Sequence, residues 1–320
     1  MSKDVIIVGA GLGGLLCGHI LGREGHRVRL LEARQRAGGV LDGFSLDGFP
    51  CECGFHSVGG LGPGEPLDKL FRLLDLRDLP WYQVAPDEGF PFLRLNSGSE
   101  LEMSHIVEPF RQSVWRLQGG GRTLVDALSE GLDIQYGATV CGIENKTVIC
   151  EDGSAYRADV IISDLSPLTT LELVKDHIRP SWGHRIRKLE NGPEIFSVHC
   201  LLENGSLPWQ DGAVFLDGEL MLHLDAREGD CARILELMRF GEGNPEEMIA
   251  KAKRRFPTFR VLKYVSHSFP GYGIKKFTAA DYIAPRTPLP WLFLTGQNLG
   301  LHGILGTAVT ALNTCKSIEL

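Results

Sequence analysis

The chain has 320 residues, of which 43% are hydrophobic and 23% charged, with a formal net charge of −7. This is an ordinary globular composition, long enough to bury a sizeable core. Its acidic balance speaks against nucleic acid, whose phosphates need a basic surface. No run of about 18 apolar residues is present, so no membrane-spanning helix is expected. Met1-Ser2-Lys3-Asp4 leads straight into the first apolar run without a secretory leader pattern, so the expected location is cytoplasmic.

Val5-Ile6-Ile7-Val8 is a short apolar run of the kind that forms a buried parallel strand. Gly9, Gly11 and Gly14 follow as G-x-G-x-x-G, with Leu12 and Gly13 between the last two, and a helical segment reaches Arg23. The first glycine makes the strand-to-helix turn, the second admits a pyrophosphate, and the third lets helix pack on strand. The phosphates then sit on the unpaired N–H groups at the positive end of the helix. A second apolar run, Val28-Arg29-Leu30-Leu31, ends on Glu32, where a carboxylate can accept hydrogen bonds from both ribose hydroxyls of an adenosine. Strand, glycine loop, helix, strand and acid, in that order, predict a dinucleotide site.

Glu32-Ala33-Arg34 is followed by a second glycine pair, Gly38-Gly39, and by Val40. Gly43 to His56 reads as a hairpin turning at Asp47-Gly48 and closing on Gly54-Phe55-His56. In these residues the chain resembles the flavin-dependent amine oxidase and phytoene desaturase superfamily, whose members run a Gly-Gly loop along the FAD pyrophosphate. The Gly-Phe-His ending is similar to the phytoene desaturase and retinol saturase branch, where this segment's end runs beside the flavin ring. The resemblance implies noncovalent FAD.

The eight cysteines (Cys17, Cys51, Cys53, Cys141, Cys150, Cys200, Cys231, Cys315) are scattered. Cys51-x-Cys53 has no second pair or histidine at zinc spacing, so reduced thiols and no metal are expected. Gly59 to Gly64 is a breaker cluster. Pro66 to Leu76 has apolar residues at helical spacing, and Phe90 to Met103 reads as a hairpin. Trp81, Tyr82, Phe90, Phe92 and Phe110 are read first as ordinary packing, with the lining of an apolar cavity as the alternative. Residues 115–122 lead into a helix to about Glu130, followed by short strands at 134–136, 139–143, 147–150, 155–157 and 160–162. In the family this order is a return to the flavin domain. Val140 then matches a valine whose backbone meets the adenine, and the strand ending at Ser163 re-enters the main sheet.

From Pro167 to Pro288 the pattern gives strands 194–203, 213–224, 231–238 and 259–267 and a helix over 245–256. Basic runs at Lys175–Lys188 and Lys251–Arg255 read as solvated faces, with peripheral membrane contact as the alternative. Trp291 to Gly296 is again a buried strand, and Gln297 to Ala308 opens a last helix whose N–H groups suit a flavin's electron-rich edge. This motif, with Gly296, Gln297, Gly303, Ile304 and Leu305, resembles the C-terminal flavin motif of the same branch. Many relatives carry an acid where Gln297 stands.

The expected fold class is α/β: a discontinuous, Rossmann-like FAD-binding domain (1–62, 116–165 and 288–320) with a smaller α+β substrate domain (63–115 and 166–287). The resemblance implies hydride transfer between flavin N5 and a small apolar, isoprenoid- or polyene-like substrate. No second G-x-G-x-x-G follows a strand, so electrons are expected to pass to or from a diffusible partner (quinone, oxygen or a reduced carrier). His56 and Tyr272 are the candidate polar groups at the ring, with His302 of similar standing. The alternatives are a non-redox polyene isomerase, an amine oxidase and a flavin-bearing scaffold. Phytoene desaturase relatives are usually longer, which puts a long substrate tunnel in question.

Overall fold

The computed structural model describes residues 2–55, 57–84, 113–189, 194–203, 206, 212–216, 220–224, 234–269, 282–301 and 303–319. In chain order the first elements are β1 (Asp4–Val8), α1 (Leu12–Arg23), β2 (Arg27–Glu32), β3 (Phe44–Leu46), β4 (Phe49–Cys51), β5 (Val58–Gly59), α2 (Pro66–Leu73), β6 (Trp81–Val84) and β7 (Val114–Leu117). There follow α3 (Gly120–Ser129), β8 (Asp133–Tyr136), β9 (Val140–Glu144), β10 (Thr147–Cys150), β11 (Ala155–Arg157), β12 (Val160–Ser163), α4 (Pro167–Leu173) and α5 (Pro180–Arg187). The last are β13 (Ile195–Leu202), β14 (Gly212–Leu216), β15 (Leu220–Leu224), β16 (Ile234–Phe240), α6 (Pro245–Arg255), β17 (Val261–Phe269), β18 (Leu292–Leu294) and α7 (Gly303–Glu319).

One parallel sheet in the order β18-β12-β1-β2-β8 draws strands from both ends of the chain and from its middle. Val5 pairs with Val160 on one side and Val28 on the other, and Ile162 pairs with Phe293. Successive side chains of a strand point to opposite faces, and here both faces are covered. Val5 and Ile7 pack with Leu15, Leu16 and Leu21 of α1, Leu124 of α3 and Ala308 and Ala311 of α7. Ile6 and Val8 pack on the other side with Ile143 and Val148 of the antiparallel β9-β10-β11 sheet. This burial on two faces is why β1 and β12 read as unbroken apolar runs.

A second, antiparallel sheet runs β14-β15-β16-β13-β17. One face, with Val198, Cys200, Leu202, Leu222, Leu235 and Leu237, packs under Met248, Ile249 and Ala252 of α6. The opposite face, described below, looks toward the parallel-sheet layer. The run 213–224, expected as one strand, is two paired strands, β14 and β15. The hairpin β3–β4 turns where expected, with Asp47 at φ 51° and Gly48 at φ 87°, the backbone of a two-residue turn that matches strand twist. It packs against the second sheet through Leu46, Cys51 and Leu201, and Lys263 Nζ meets Asp47 Oδ1 at 2.6 Å. The helix from Pro66 ends at Leu73, three residues earlier than expected, as Asp75 turns to φ 58°. Seven cysteines are free among the described residues. No helix among those residues is long and apolar enough to cross a membrane.

Candidate cofactor and active site

The tip of β2 is the most rigidly specified point. Glu32 Oε2 accepts the Ala10 amide at 2.8 Å and Oε1 accepts the Arg34 amide at 2.9 Å, so both carboxylate oxygens are aimed by backbone. Gly9 donates to the Leu31 carbonyl at 2.8 Å, which fixes the loop to the same strand. A Cβ on Gly14 would strike the Gly9 carbonyl oxygen, so only glycine lets α1 start this close to β1.

Beyond Glu32 the chain forms a cradle of glycine backbone. Gly38, at φ +121°, donates to the Ala10 carbonyl at 2.8 Å and brings the second glycine loop onto the first. Arg122 of α3 holds that loop, its Nη1 donating to Asp42 Oδ1 at 3.0 Å and to the Ala37 carbonyl at 3.3 Å. From the other side, a Cβ on Gly13 would lie 2.8 Å from Gly296 Cα, so the turn after β18 touches the nucleotide loop directly. Between these walls stands Asp164, the residue after β12. Its Oδ2 lies 2.6 Å from where a Cβ on Gly11 would be, and its Oδ1 lies 2.5 Å from where a Cβ on Gly296 would be. The nearby amides of Gly14 and Gly11 favour the charged form of its carboxylate. Burial pushes this carboxyl up to about 7, the charge of Glu32 adds to the rise, and the two amides oppose it.

The cradle opens into a cleft of about 860 Å³ of atom-free space, part of it exposed to solvent. Its near wall is Leu12, Gly39, Val40 and Gly54, and its far end is Gln297, Asn298, Gly303, Ile304 and Thr307 at the start of α7. The second sheet contributes Ile195 of β13 and Phe269 of β17, which face each other in register. Behind them Met221, Met238 and Phe240 complete an apolar patch.

Two residues further along the same face the chemistry changes. Ser197, His199, His223 and Glu236 are all buried on adjacent strands, with Glu236 in register with both histidines. Ser197 Oγ donates to Glu236 Oε1 at 2.6 Å, and His199 Nε2 lies 3.4 Å from the same oxygen. His199 Nε2 also lies 2.7 Å from the Glu52 carbonyl oxygen, which can only accept, so Nε2 carries the proton and Nδ1 is bare. Nδ1 has no hydrogen-bond partner among the described residues. Burial lowers His199 to about 4 and His223 to about 3, the latter helped by the nearby Arg116 guanidinium, so both rings are neutral near pH 7. The His199–Glu236 contact is therefore no ion pair. Among the described residues no group of three or more His, Cys, Asp and Glu side chains could hold a metal ion.

The donors fit a dinucleotide. Both Glu32 oxygens are held by backbone amides, the glycine walls leave no room for side chains, and the start of α1 lies beside the Asp164 carboxylate. Of the residues marked from sequence, Leu12, Val40, Gly54, Gln297 and Ile304 line the cleft with the cradle glycines. Phe55 is turned into the core beside Trp81, and Leu305 packs on that core. Ala33 is exposed, and Arg34 contributes its amide to Glu32. Val140 opens β9 and packs with Val8 and Leu31. The Ser163 hydroxyl meets Thr170 Oγ1 at 2.7 Å, and the next residue, Asp164, faces the cleft instead. Trp81 packs in the core and donates to the Leu76 carbonyl at 3.0 Å. His56, Tyr272, His302, the 90–103 hairpin, Phe90, Phe92 and Phe110 lie outside the described residues. Sequence reasoning passed over Asp164, Arg122, Ile195 and Phe269. For Asp164 the signal was present, since it directly follows a strand predicted to enter the parallel sheet.

Comparison with known proteins agrees with this geometry. Residues 7–74 match the NAD(P)-binding Rossmann-like domain family, and residues 87–195 match the flavin containing amine oxidoreductase family. Human all-trans-retinol 13,14-reductase is 38% identical over 221 residues, 63% of this chain and 35% of that protein. Putrescine oxidase from Kocuria rosea is 35% identical over 144 residues, 43% of this chain and 27% of the oxidase. The matches thus span about a third or less of these relatives' length, and 19% in the zebrafish retinol reductase. The solved structure of an oxidoreductase from Methanosarcina mazei superposes with a TM-score of 0.73 at 19% identity, covering 98% of this chain and 100% of that one. With both glycine loops, Glu32 and the start of α7 meeting at one cleft, the chain is similar in its site, its family-model matches and its relatives to the FAD-dependent amine oxidase and phytoene desaturase superfamily.

Proposed function

We propose that this chain binds FAD noncovalently and exchanges a hydride with a small apolar, isoprenoid- or polyene-like substrate, as a desaturase or saturase does. The observation that carries the substrate class is the wall formed by Ile195 and Phe269, backed by Met221, Met238 and Phe240, where the second sheet meets the cleft. A charged amine would gain little from such a wall, whereas an apolar chain is favoured by roughly 25 cal/mol for each Å² it buries. The likeness over 221 residues to a protein named all-trans-retinol 13,14-reductase supports the same reading.

In this reading residues 1–62, 116–165 and 288–320 form the cofactor unit, and 63–115 and 166–287 form its cover. Bound FAD supplies the two-electron hydride chemistry. The chain's own residues do the rest. Glu32 holds the ribose, the α1 amides and the Gly38-Gly39 loop hold the pyrophosphate, and the amides opening α7 with Gln297 face the flavin end. Ile195 and Phe269 exclude water from the reacting carbons. His56 and Tyr272 are proposed as polar groups near the ring, and a quinone, oxygen or a reduced carrier as the electron partner.

The test is anaerobic and optical. Photoreduced holoprotein mixed with all-trans-retinol is expected to regain its oxidised flavin spectrum, and oxidised holoprotein mixed with putrescine is expected to stay oxidised. Bleaching by putrescine, with no response to the polyene in either redox state, overturns the substrate class. Loss of the response in Phe269→Asp, with flavin still bound, would tie it to the apolar wall.

A further inference from the structure

Asp164 stands where the cofactor's phosphates are needed. Its carboxylate lies against Gly11, Gly13 and Gly296, beside the amides of Gly14 and Gly11 at the start of α1, which favour its charged form. These are the donors a pyrophosphate uses at a helix N-terminus. We propose that Asp164 is a built-in stand-in for the cofactor's phosphate, holding the glycine loops in their binding shape and taking up a proton when FAD arrives. The inference rests on the FAD reading above and goes beyond it by naming the residue that links cofactor capture to pH.

The geometry forces the choice. Gly11, Gly13 and Gly296 crowd the carboxylate, which itself lines the cleft, so a phosphate reaching these amides must share the space with Asp164 or displace it. An ionised carboxylate beside a doubly charged pyrophosphate in a half-buried site is strongly unfavourable, and a neutral carboxyl removes the repulsion while gaining a donor for a phosphate oxygen. Among the described residues lining this corner of the cleft there is no compensating cation. The nucleotide loop presents glycine backbone, Ala10 and Leu12, while the turn after β18 presents Gln297 and Asn298. The charged neighbour that reaches Asp164 is Glu32, of the same sign. Arg122 and Arg36 are both engaged with Asp42 on the far side of the Gly38-Gly39 loop. The carboxyl is already lifted to about 7, so it can be neutralised at modest cost in the physiological range.

The sign follows. If the bound state holds one proton more than the free state, affinity is highest at low pH and falls as pH rises above about 7. The limit is about tenfold in Kd per pH unit until the bound-state carboxyl itself ionises.

The experiment measures FAD Kd on apoprotein by flavin fluorescence at pH 6, 7, 8 and 9 for the parent and for Asp164→Asn. The inference expects a Kd that climbs several-fold per unit above pH 7 in the parent and stays level in Asp164→Asn, with the variant the tighter binder at pH 9. A level parent profile overturns it, as does a slope that survives in Asp164→Asn. If Asp164 served only to brace the loops, Asp164→Asn would weaken binding equally at every pH, which also overturns it. Where Asp164→Asn does not fold, proton uptake on FAD binding to the parent decides, read from binding heats in buffers of different ionisation enthalpy: uptake approaching one proton above pH 7 is expected, and none overturns the inference. Absence of FAD binding at every pH removes the cofactor reading itself, and this inference with it. Binding with a level profile removes the inference alone.

Discussion

The two sides of the cleft are built on opposite plans. The nucleotide side makes its chemistry from backbone, with amides at the α1 start, carbonyls and amides linking Gly9, Ala10 and Gly38 to their neighbours, and one carboxylate aimed by two N–H groups. The cover side makes its chemistry from side chains, an apolar pair at the cleft and a buried row of serine, histidines and glutamate behind it. Backbone amides and carbonyls do not titrate, which leaves Asp164 as the pH-sensitive group of the nucleotide side, but they are intolerant of a single added methyl. Side-chain chemistry tolerates shape changes but is exposed to pH. The two halves should therefore fail under different stresses.

Acid should separate them most. The folded-state values of His199 and His223 lie below the ordinary 6.5, so the unfolded chain takes up protons first as pH falls. Stability is full above pH 6.5 and is lost toward pH 4, at about 1.4 kcal/mol per pH unit for each ring. Urea midpoints at pH 7.5, 6 and 5 should fall steeply, and His199→Gln with His223→Gln should flatten the profile. A level parent profile would mean that the rings are not held neutral.

On the backbone side, Gly14→Ala forces its methyl against the Gly9 carbonyl and should cost about 1–3 kcal/mol by overpacking, with flavin content falling in parallel. A variant with an unchanged urea midpoint would show that α1 does not need its close start. Glu32→Ala removes the proposed acceptor of the ribose hydroxyls and should weaken FAD binding by about 1–3 kcal/mol while leaving the acid profile as it was. Equal affinity in parent and variant would take the ribose away from Glu32. The smallest effect tests the outer face of the cover. Asn244 Oδ1 accepts the Glu247 amide at 3.0 Å as the N-cap of α6, and Asn244→Ala should cost about 1 kcal/mol without touching flavin binding. A change in flavin Kd there would mean that the two faces of the second sheet are coupled.

The same contrast explains what could be read from the residues. Gly9 to Gly14, Glu32 and the Asp47-Gly48 turn are legible because their constraint is local, with spacing and φ angle set within a few positions. The α7 start was legible for the same reason. The cover was not. Ile195 and Phe269 meet across strands 74 positions apart in sequence, and nothing in either neighbourhood marks it as a cleft wall. The buried row hid for a related reason. His199, His223 and Glu236 come from three strands, and each alone is an ordinary polar residue in an apolar run. Asp164 lay between these cases, visible as a strand-end acid but assignable only once Gly11 and Gly296 were seen on either side of it.

The place of β18 in the parallel sheet has a consequence for how the protein is made. β18 pairs with β12 and leads into α7, yet about 130 residues separate the two strands. At the ribosome, at about 5–20 residues per second, that interval lasts on the order of ten seconds. Until it ends, β12 is an open parallel edge and the faces of Leu15 and Leu16 that α7 will cover are bare. An open edge of this kind is a template for pairing with another chain. The nascent chain is thus most at risk while its cover is being translated, and the cleft proposed for FAD, lined by Gly296 and the start of α7, is completed only after that window. Expression with abundant flavin should improve the fate of finished chains but do little for stalled ones.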